Sequence, residues 1–418
     1  MTVLGEIIFI LFLLAQALLA VYIALPALLL ISYALIRLFR VRTPFQRKPY
    51  LTEQEFEFGL IITAHQETEF VIPLVDSILK QTYQRFHIYI VADDCTPGSL
   101  SFSDPRITIL SPEPALHSKI RSIRYALDRF LRPHDALIIL DVDNLLHPSF
   151  LQVMNLHFRK GYKVVQADFK PKNTDTHFAR LDAIGDMFNF FIEREARMRL
   201  GLSSAIWGSG IAIDYHLYRE VEYADLLGGF DKKLQAHLVE RVDRIAFAPQ
   251  AILFDEKIIS GQSLENQRTR WLSAYFKYFG ISFGILARGF KKLDFNLVYF
   301  GYNTIRPPLF IVMGGALLLM GIDYFFSPGL ALTWLVILLS FLLSFVLIVA
   351  IKGKDSRYIK TLALMPLFVL RQVAALLKMK KARKSFLKTR HDRLIFIDDL
   401  LGKNGPIPPD NQDGLLDI

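Results

Sequence analysis

Three stretches of the chain are apolar almost without interruption, and a fourth is apolar with charges set inside it. Residues 3–36, VLGEIIFILFLLAQALLAVYIALPALLLISYALI, exceed the roughly 20 residues of one crossing and leave no loop for two. This predicts one long, tilted membrane helix, with a bend at Pro26 allowed. The first residues lack Lys and Arg, and the run is too long for a cleaved leader. Residues 305–326 and 329–351 predict a helical hairpin turning at SPG, 327–329. Residues 358–377 hold Arg371 midway and precede a basic tail. A crossing there would carry that tail outside, against the positive-inside tendency, so an interfacial or re-entrant helix is expected.

Between these segments the pattern changes. FGLIITA (58–64), FHIYIVAD (86–93), RITIL (106–110), ALIIL (136–140) and YKVVQAD (162–168) are short β-rich runs. Amphipathic stretches such as VIPLVDSILKQ (71–81) and SKIRSIRYALDRFL (118–131) separate most of them. Strand–helix alternation predicts an α/β domain with a mainly parallel sheet covered on both faces. The expected organisation is a membrane helix in 1–40, an α/β domain in 50–262 and an interfacial helix in 263–292. A membrane hairpin in 303–351, an amphipathic region in 358–390 and a tail in 391–418 follow. The acidic end of that tail, PPDNQDGLLDI (408–418), is expected to be disordered.

Composition agrees with a mixture. The hydrophobic share is 52%, too apolar for an ordinary water-soluble protein, and 21% of residues are charged, too many for a membrane bundle alone. One cysteine, Cys95, excludes an internal disulfide and a cysteine-rich metal site. The net charge of +9 gathers beside the apolar segments, as in RLFRVRTPFQRK (37–48), ARGFKK (287–292) and KMKKARKSFLK (378–388). Such clusters point to a cytoplasmic face and anionic membrane lipids rather than to nucleic acid. They predict a multi-pass membrane protein with its N-terminus outside and the α/β domain in the cytoplasm.

Ligands of parallel sheets bind beyond the carboxyl ends of the strands. That is where unusual polar residues fall: Glu67 after the first strand, Asp93 and Asp94 after the second, Asp141 and Asp143 after the fourth. No glycine-rich loop follows any strand, which disfavours a dinucleotide or P-loop site. In IILDVDNLLHP (138–148) two carboxylates at i and i+2 share one side of an extended segment and repel. A divalent cation held by oxygen ligands relieves that repulsion. A helix cap beside a solvated loop aspartate is the alternative.

The ordered series ITAHQE (62–67), VADDCTPG (91–98), SKIRSIRYAL (118–127), LDVDNLLHP (140–148), WGSGIAID (207–214), FDKKLQAHLVERVDRIAFAP (230–249) and QRTRW (267–271) resembles a membrane-embedded family 2 glycosyltransferase. The branch resembled contains the cellulose, chitin, hyaluronan and poly-N-acetylglucosamine synthases. The resemblance runs from about 55 to 285. It implies a GT-A fold, a nucleotide-sugar donor such as a UDP-sugar, and Mg²⁺ or Mn²⁺. It also implies a bacterial plasma membrane setting.

Carried over residue by residue, Glu67, Asp93 and Asp94 look like nucleoside contacts, and Lys119 matches a lysine ahead of the next helix. Asp141 and Asp143 look like the pair that holds the diphosphate through the metal. Asp231 looks like the base, although the glutamate expected before it is Phe230. Gln267 and Arg270 look like diphosphate contacts, and Trp271 like a platform for the acceptor sugar. Gln267, Arg270 and Trp271 share one face if the segment is helical. An interfacial helix anchored by Trp and Arg would show the same residues.

Inverting transfer to a growing polysaccharide is the first expectation. A single transfer to a lipid, ceramide or polyprenyl-linked, is the second, because the crossings are few. A catalytically dead membrane subunit is the third.

Overall fold

The computed structural model describes residues 3–96, 98–223, 229–382 and 393–404. Its eight strands are β1 Phe58–His65, β2 Phe86–Asp93, β3 Ile107–Leu110, β4 Ala136–Asp141, β5 Leu145–Leu146, β6 Val164–Pro171, β7 Ile211–Asp214 and β8 Ala246–Asp255. They form one sheet in the order β3-β2-β1-β4-β7-β6-β8-β5. Pairing is parallel across β3, β2, β1 and β4, and again between β6 and β8. β7 runs antiparallel to β4 and β6, and β5 antiparallel to β8. The parallel half is the part that strand–helix alternation predicts. The reversal comes from β7 and β5, of four and two residues, too short to carry a periodic signal.

Alternation along β1 feeds two cores. Leu60 and Ile62 pack with Leu74 and Ile78 of α2 (Val71–Leu79) and with Phe150 and Met154 of α4 (Phe150–Arg159). Ile61 faces the other way, to Ile120 and Ile123 of α3 (Lys119–Leu127) and Leu234 of α6 (Phe230–Val239). Both faces are thus covered, and the carboxyl ends of β1, β2 and β4 open to one side. Register places His65 against Asp93 and Thr63 against Asp141 there.

After β6, α5 (His177–Phe190) continues into a π-helical turn, Phe191–Glu195, and a last turn, Ala196–Arg199. α5 packs on the apolar helices: Ile184, Phe188 and Phe191 share a core with Tyr22 and Ile23 of α1 (Val3–Leu38) and Phe341 and Phe345 further on. α1 runs unbroken through Pro26.

A 32-residue helix, α7 (Gly261–Lys292), follows the sheet domain, capped at Ser260, and α8 (Phe295–Ile305) folds back on it. Pro307 and Pro308 then delay the hairpin, so its first arm, α9, is Leu309–Phe326 rather than starting at 305. The second arm is α10 (Pro328–Gly353). Asp323 would be costly in an apolar bundle, but Gln16 Nε2 donates to it at 3.3 Å and Trp334 Nε1 at 3.1 Å, tying α1, α9 and α10 together.

Among the described residues, four segments are long and apolar enough to cross a membrane: Val3–Leu38, Leu309–Phe326, Pro328–Gly353 and Ser356–Lys378. The last contains most of α11 (Met365–Ala382), which docks along α7. Glu265 of α7 is buried and pairs with Arg371, 2.5 Å away, and with Lys378. The tail end at 408–418 lies outside the described residues; before it, Ile397–Asn404 is helical and Ile397 and Leu400 pack on Leu145 and Phe254.

Candidate active site

Ser118, the cap of α3, accepts from Arg121 N and starts the helix at Lys119. That puts the lysine at the end of β4, where its Nζ pairs with Asp141 and donates to Gly208 O at 2.8 Å. Asp141 N donates to Asn144 Oδ1 at 2.9 Å and to Ser209 Oγ at 3.1 Å. Asn144 Nδ2 in turn donates to Asp143 Oδ1 at 3.3 Å, and Glu256 N to Asp143 Oδ2 at 3.4 Å. The Asp141 side chain is 43% exposed, while Asp143 is buried and held by its neighbours. An open carboxylate beside a fixed one, both hard oxygen donors with supporting hydrogen bonds, fits Mg²⁺ or Mn²⁺.

Gly208 joins this group to the next. A Cβ there would stand 2.9 Å from the Phe230 ring and 3.9 Å from the Asp231 Cβ. Asp231, in the first turn of α6, has Lys232 Nζ 3.9 Å away. The sequence-derived candidates Asp141, Lys119 and Asp231 therefore meet around one backbone position.

α7 is helical throughout 267–271, so Gln267, Arg270 and Trp271 do share a face, and all three line the same cleft as Asp141 and Asp231. Gln267 Oε1 is buried and has no hydrogen-bond partner among the described residues. Burial lowers the Arg270 pKa, and the charge of Asp141 opposes that shift. The Trp271 ring is 42% exposed, 6.1 Å from Trp207, with the Arg268 guanidinium 4.2 Å from its centre.

Glu67 and Asp93 also line the cleft. Both Asp93 oxygens are engaged, by Leu116 N at 2.6 Å and His117 N at 2.8 Å, so Asp93 fastens the loop before α3. Asp94 does not line the cleft; it is exposed, has φ of 54° and accepts from Gln66 Nε2 at 2.7 Å. The aspartate pair thus splits, one side chain inward and one outward. His65, Asp93 and His117 bring ligand atoms within 4.8 Å of one another, a grouping the sequence did not suggest because His117 is 52 residues from His65.

Two further groups escape sequence reasoning. Lys257 is buried between Asp186 and Asp255, 2.7 Å from the latter, beside the Asp143 end of the cleft. The signal was FDEK (254–257), carboxylates at the carboxyl end of a strand parallel to β6. Glu193, Arg197 and Arg306 form the other, where the cleft nears the candidate membrane helices. Their signal was FIEREARMR (191–199), charges set among apolar residues.

The cleft is large, about 2330 Å³, more than the several hundred Å³ usual for one small ligand. It runs from Asp141 to Met313, Leu317, Phe341 and Phe345 of the hairpin.

Residues 56–274, just over half of the chain, match the family model described as glycosyltransferase-like family 2. No curated protein matches the chain. Among solved structures, the mannosyltransferase PcManGT from Pyrobaculum calidifontis, in complex with GDP-Man and Mn²⁺, superposes with a TM-score of 0.51 at 14% identity, over 88% of this chain and 100% of that one. GalNAc-T7 with UDP, GalNAc and Mn²⁺ matches with a TM-score of 0.38 at 12% identity, over 49% of this chain and 44% of that one. The first likeness shows a GT-A-like fold, here flanked by the candidate membrane helices.

Proposed function

The chain belongs to the glycosyltransferase-like family 2, and we propose that it moves a sugar from a nucleotide-sugar, a UDP-sugar in the first instance, to a lipid acceptor at the membrane. The observation that carries the acceptor is the continuity of the cleft: polar at Asp141 and Asp231, apolar at Met313, Leu317, Phe341 and Phe345. A polysaccharide needs a conduit that offers hydrogen-bonding groups along its whole length. A hydrocarbon tail suits Leu, Met and Phe. This favours the lipid over the polysaccharide among the sequence-based expectations.

In this reading Asp141 and Asp143 hold the metal, Glu67 and Asp93 face the nucleoside, and Gln267 and Arg270 meet the diphosphate. Bound Mg²⁺ or Mn²⁺ would neutralise charge on the departing diphosphate as a Lewis acid. Asp231 takes the proton from an acceptor hydroxyl as its oxygen bonds to the sugar C1. The C1–O bond to the donor breaks on the opposite face, its electron pair leaving with the diphosphate, so configuration inverts. Arg270 and Lys119 supply further positive charge on that side. Trp271 offers its exposed face to the acceptor.

We place the catalytic domain on the cytoplasmic side of the membrane, on the strength of the basic clusters beside the spans. Membranes incubated with labelled UDP- and GDP-sugars test the reading. Label that partitions into organic solvent as a lipid supports it, and label in long water-soluble polymer overturns it.

A further inference from the structure

Where the cleft passes from polar to apolar lining, positive charge is in excess. Arg197 is 2% exposed, sits over the Tyr299 ring at 5.4 Å, and lines the cleft. Its Nε and Nη1 have no hydrogen-bond partner among the described residues. Arg306, the residue before Pro307, bonds Glu193 Oε1 at 2.8 Å. Lys232 follows Asp231 on the same wall. Glu193 is the acid they share. Burial alone would raise its carboxyl, but Arg306, Arg197, Arg194 and Lys232 outweigh that and hold it below the usual range. Asp231, 3.9 Å from Lys232 Nζ, is the second carboxylate, so two acids face three cleft-lining cations, and the buried Arg197 guanidinium keeps donors without a partner, which is strongly unfavourable.

We propose that Arg197, Arg306 and Lys232 form a subsite for the phosphate of an anionic lipid, so that the acceptor carries phosphate between its hydrocarbon tail and the hydroxyl that receives the sugar. The inference rests on the lipid-acceptor reading and narrows it. Guanidinium forks match phosphate oxygens. The subsite is separate from the donor diphosphate, which Arg270 and Lys119 serve beside Asp141. Its place in the fold argues for a lipid rather than a free anion. Arg306 stands two prolines before the start of α9, a candidate span. Beyond it Phe310, Met313 and Leu317 follow at i, i+3 and i+7, one face of α9, all lining the cleft. A Cβ on Gly314, beside them, would meet nothing within 4 Å, leaving width for a chain.

The test uses the full chain in phosphatidylcholine nanodiscs and fluorescent phosphatidic acid, with diacylglycerol of the same chains as the uncharged control. Wild type should retain phosphatidic acid over diacylglycerol. Arg306→Gln and Arg197→Gln should each weaken phosphatidic acid binding by roughly 10- to 100-fold. UDP binding should be unchanged in both, which shows that the variants are folded. Lys354→Gln, an exposed cation outside the cleft, should bind as wild type does. Equal retention of the two lipids overturns the proposal, as does displacement by millimolar inorganic phosphate. Equal losses in Lys354→Gln also overturn it, since they mark unspecific surface attraction. A phosphate-free lipid product with those results leaves the lipid reading standing and removes only the subsite. A polymer product removes the reading itself.

Discussion

Gly208 faces Phe230 so closely that a Cβ on the glycine would stand 2.9 Å from the ring. The same glycine's carbonyl receives Lys119 Nζ, which also lies 5.1 Å from the Phe230 ring centre. Phe230 stands where the family resemblance expects a glutamate, and it is a buried plate between the lysine and the candidate base. Gly208→Ala should therefore push α6 outward and displace Asp231. We expect a loss of about 1–3 kcal/mol of stability and a larger fall in turnover than in UDP affinity. Thermal unfolding and steady-state kinetics on one preparation check this. Unchanged turnover would remove Asp231 from the reacting geometry.

The proposed metal ligands, Asp141 and Asp143, lead to a second outcome. Asp143→Asn removes one ligand charge and leaves one acceptor oxygen, so it keeps only one of the hydrogen bonds donated by Asn144 Nδ2 and Glu256 N, at a cost of about 1 kcal/mol. Transfer should be lost while the melting temperature stays close to wild type. EDTA should inactivate the wild type, and Mn²⁺ or Mg²⁺ should restore it. Full activity in EDTA would exclude the metal role.

Much of this was legible in the sequence, and the reasons are local. β1, β2 and β4 announce themselves because each is a buried apolar run ending in a polar residue at a binding edge. The 267–271 face needs only helical spacing to be read. What was hidden depends on distant partners. Nothing within WGSG says that Gly208 will touch Phe230, 22 residues on. FDEK gives no sign that Lys257 will meet Asp186, because that contact is made by α5, 71 residues away in the chain. Asp93 and Asp94 are adjacent in sequence yet divide between cleft and solvent, since Asp94 adopts positive φ.

The Lys257 site gives a pH-dependent outcome. Burial pushes the Asp255 carboxyl up to about 7, against the attraction of Lys257 and with help from Asp186. A folded value above the unfolded one means that the fold favours the protonated acid. Its contribution is full below about pH 4 and is lost as pH rises through 7. Lys257→Met removes the cation that makes ionisation tolerable. The variant should lose about 3–5 kcal/mol at pH 8 and less at pH 6. Denaturant unfolding at the two pH values measures this; an equal deficit at both would show that the lysine does not hold ionised carboxylates.

Topology gives a fourth. The turn at Ser327, between α9 and α10, should lie across the membrane from Cys95, which follows β2. A cysteine placed at Ser327 should react with an impermeant thiol reagent in intact cells, and Cys95 only after permeabilisation. Labelling of Cys95 first would invert the orientation.

The sharpest separation is among three residues around the cleft. Asp231→Asn keeps size and hydrogen bonding but cannot take a proton. It should cut turnover by roughly 10²–10⁴-fold with UDP affinity intact. Arg270→Ala removes the cation whose pKa already registers the charge of Asp141, and should weaken UDP binding itself. Trp271→Ala removes an exposed ring and no charge, so donor binding should persist while transfer to acceptor falls. Donor hydrolysis to water, measured beside transfer, divides the last case from the first: it survives loss of the platform but not loss of the base. If Asp231→Asn forms product at the wild-type rate, the base lies elsewhere in the cleft. Asp255, another carboxylate that lines the cleft, is then the next to substitute.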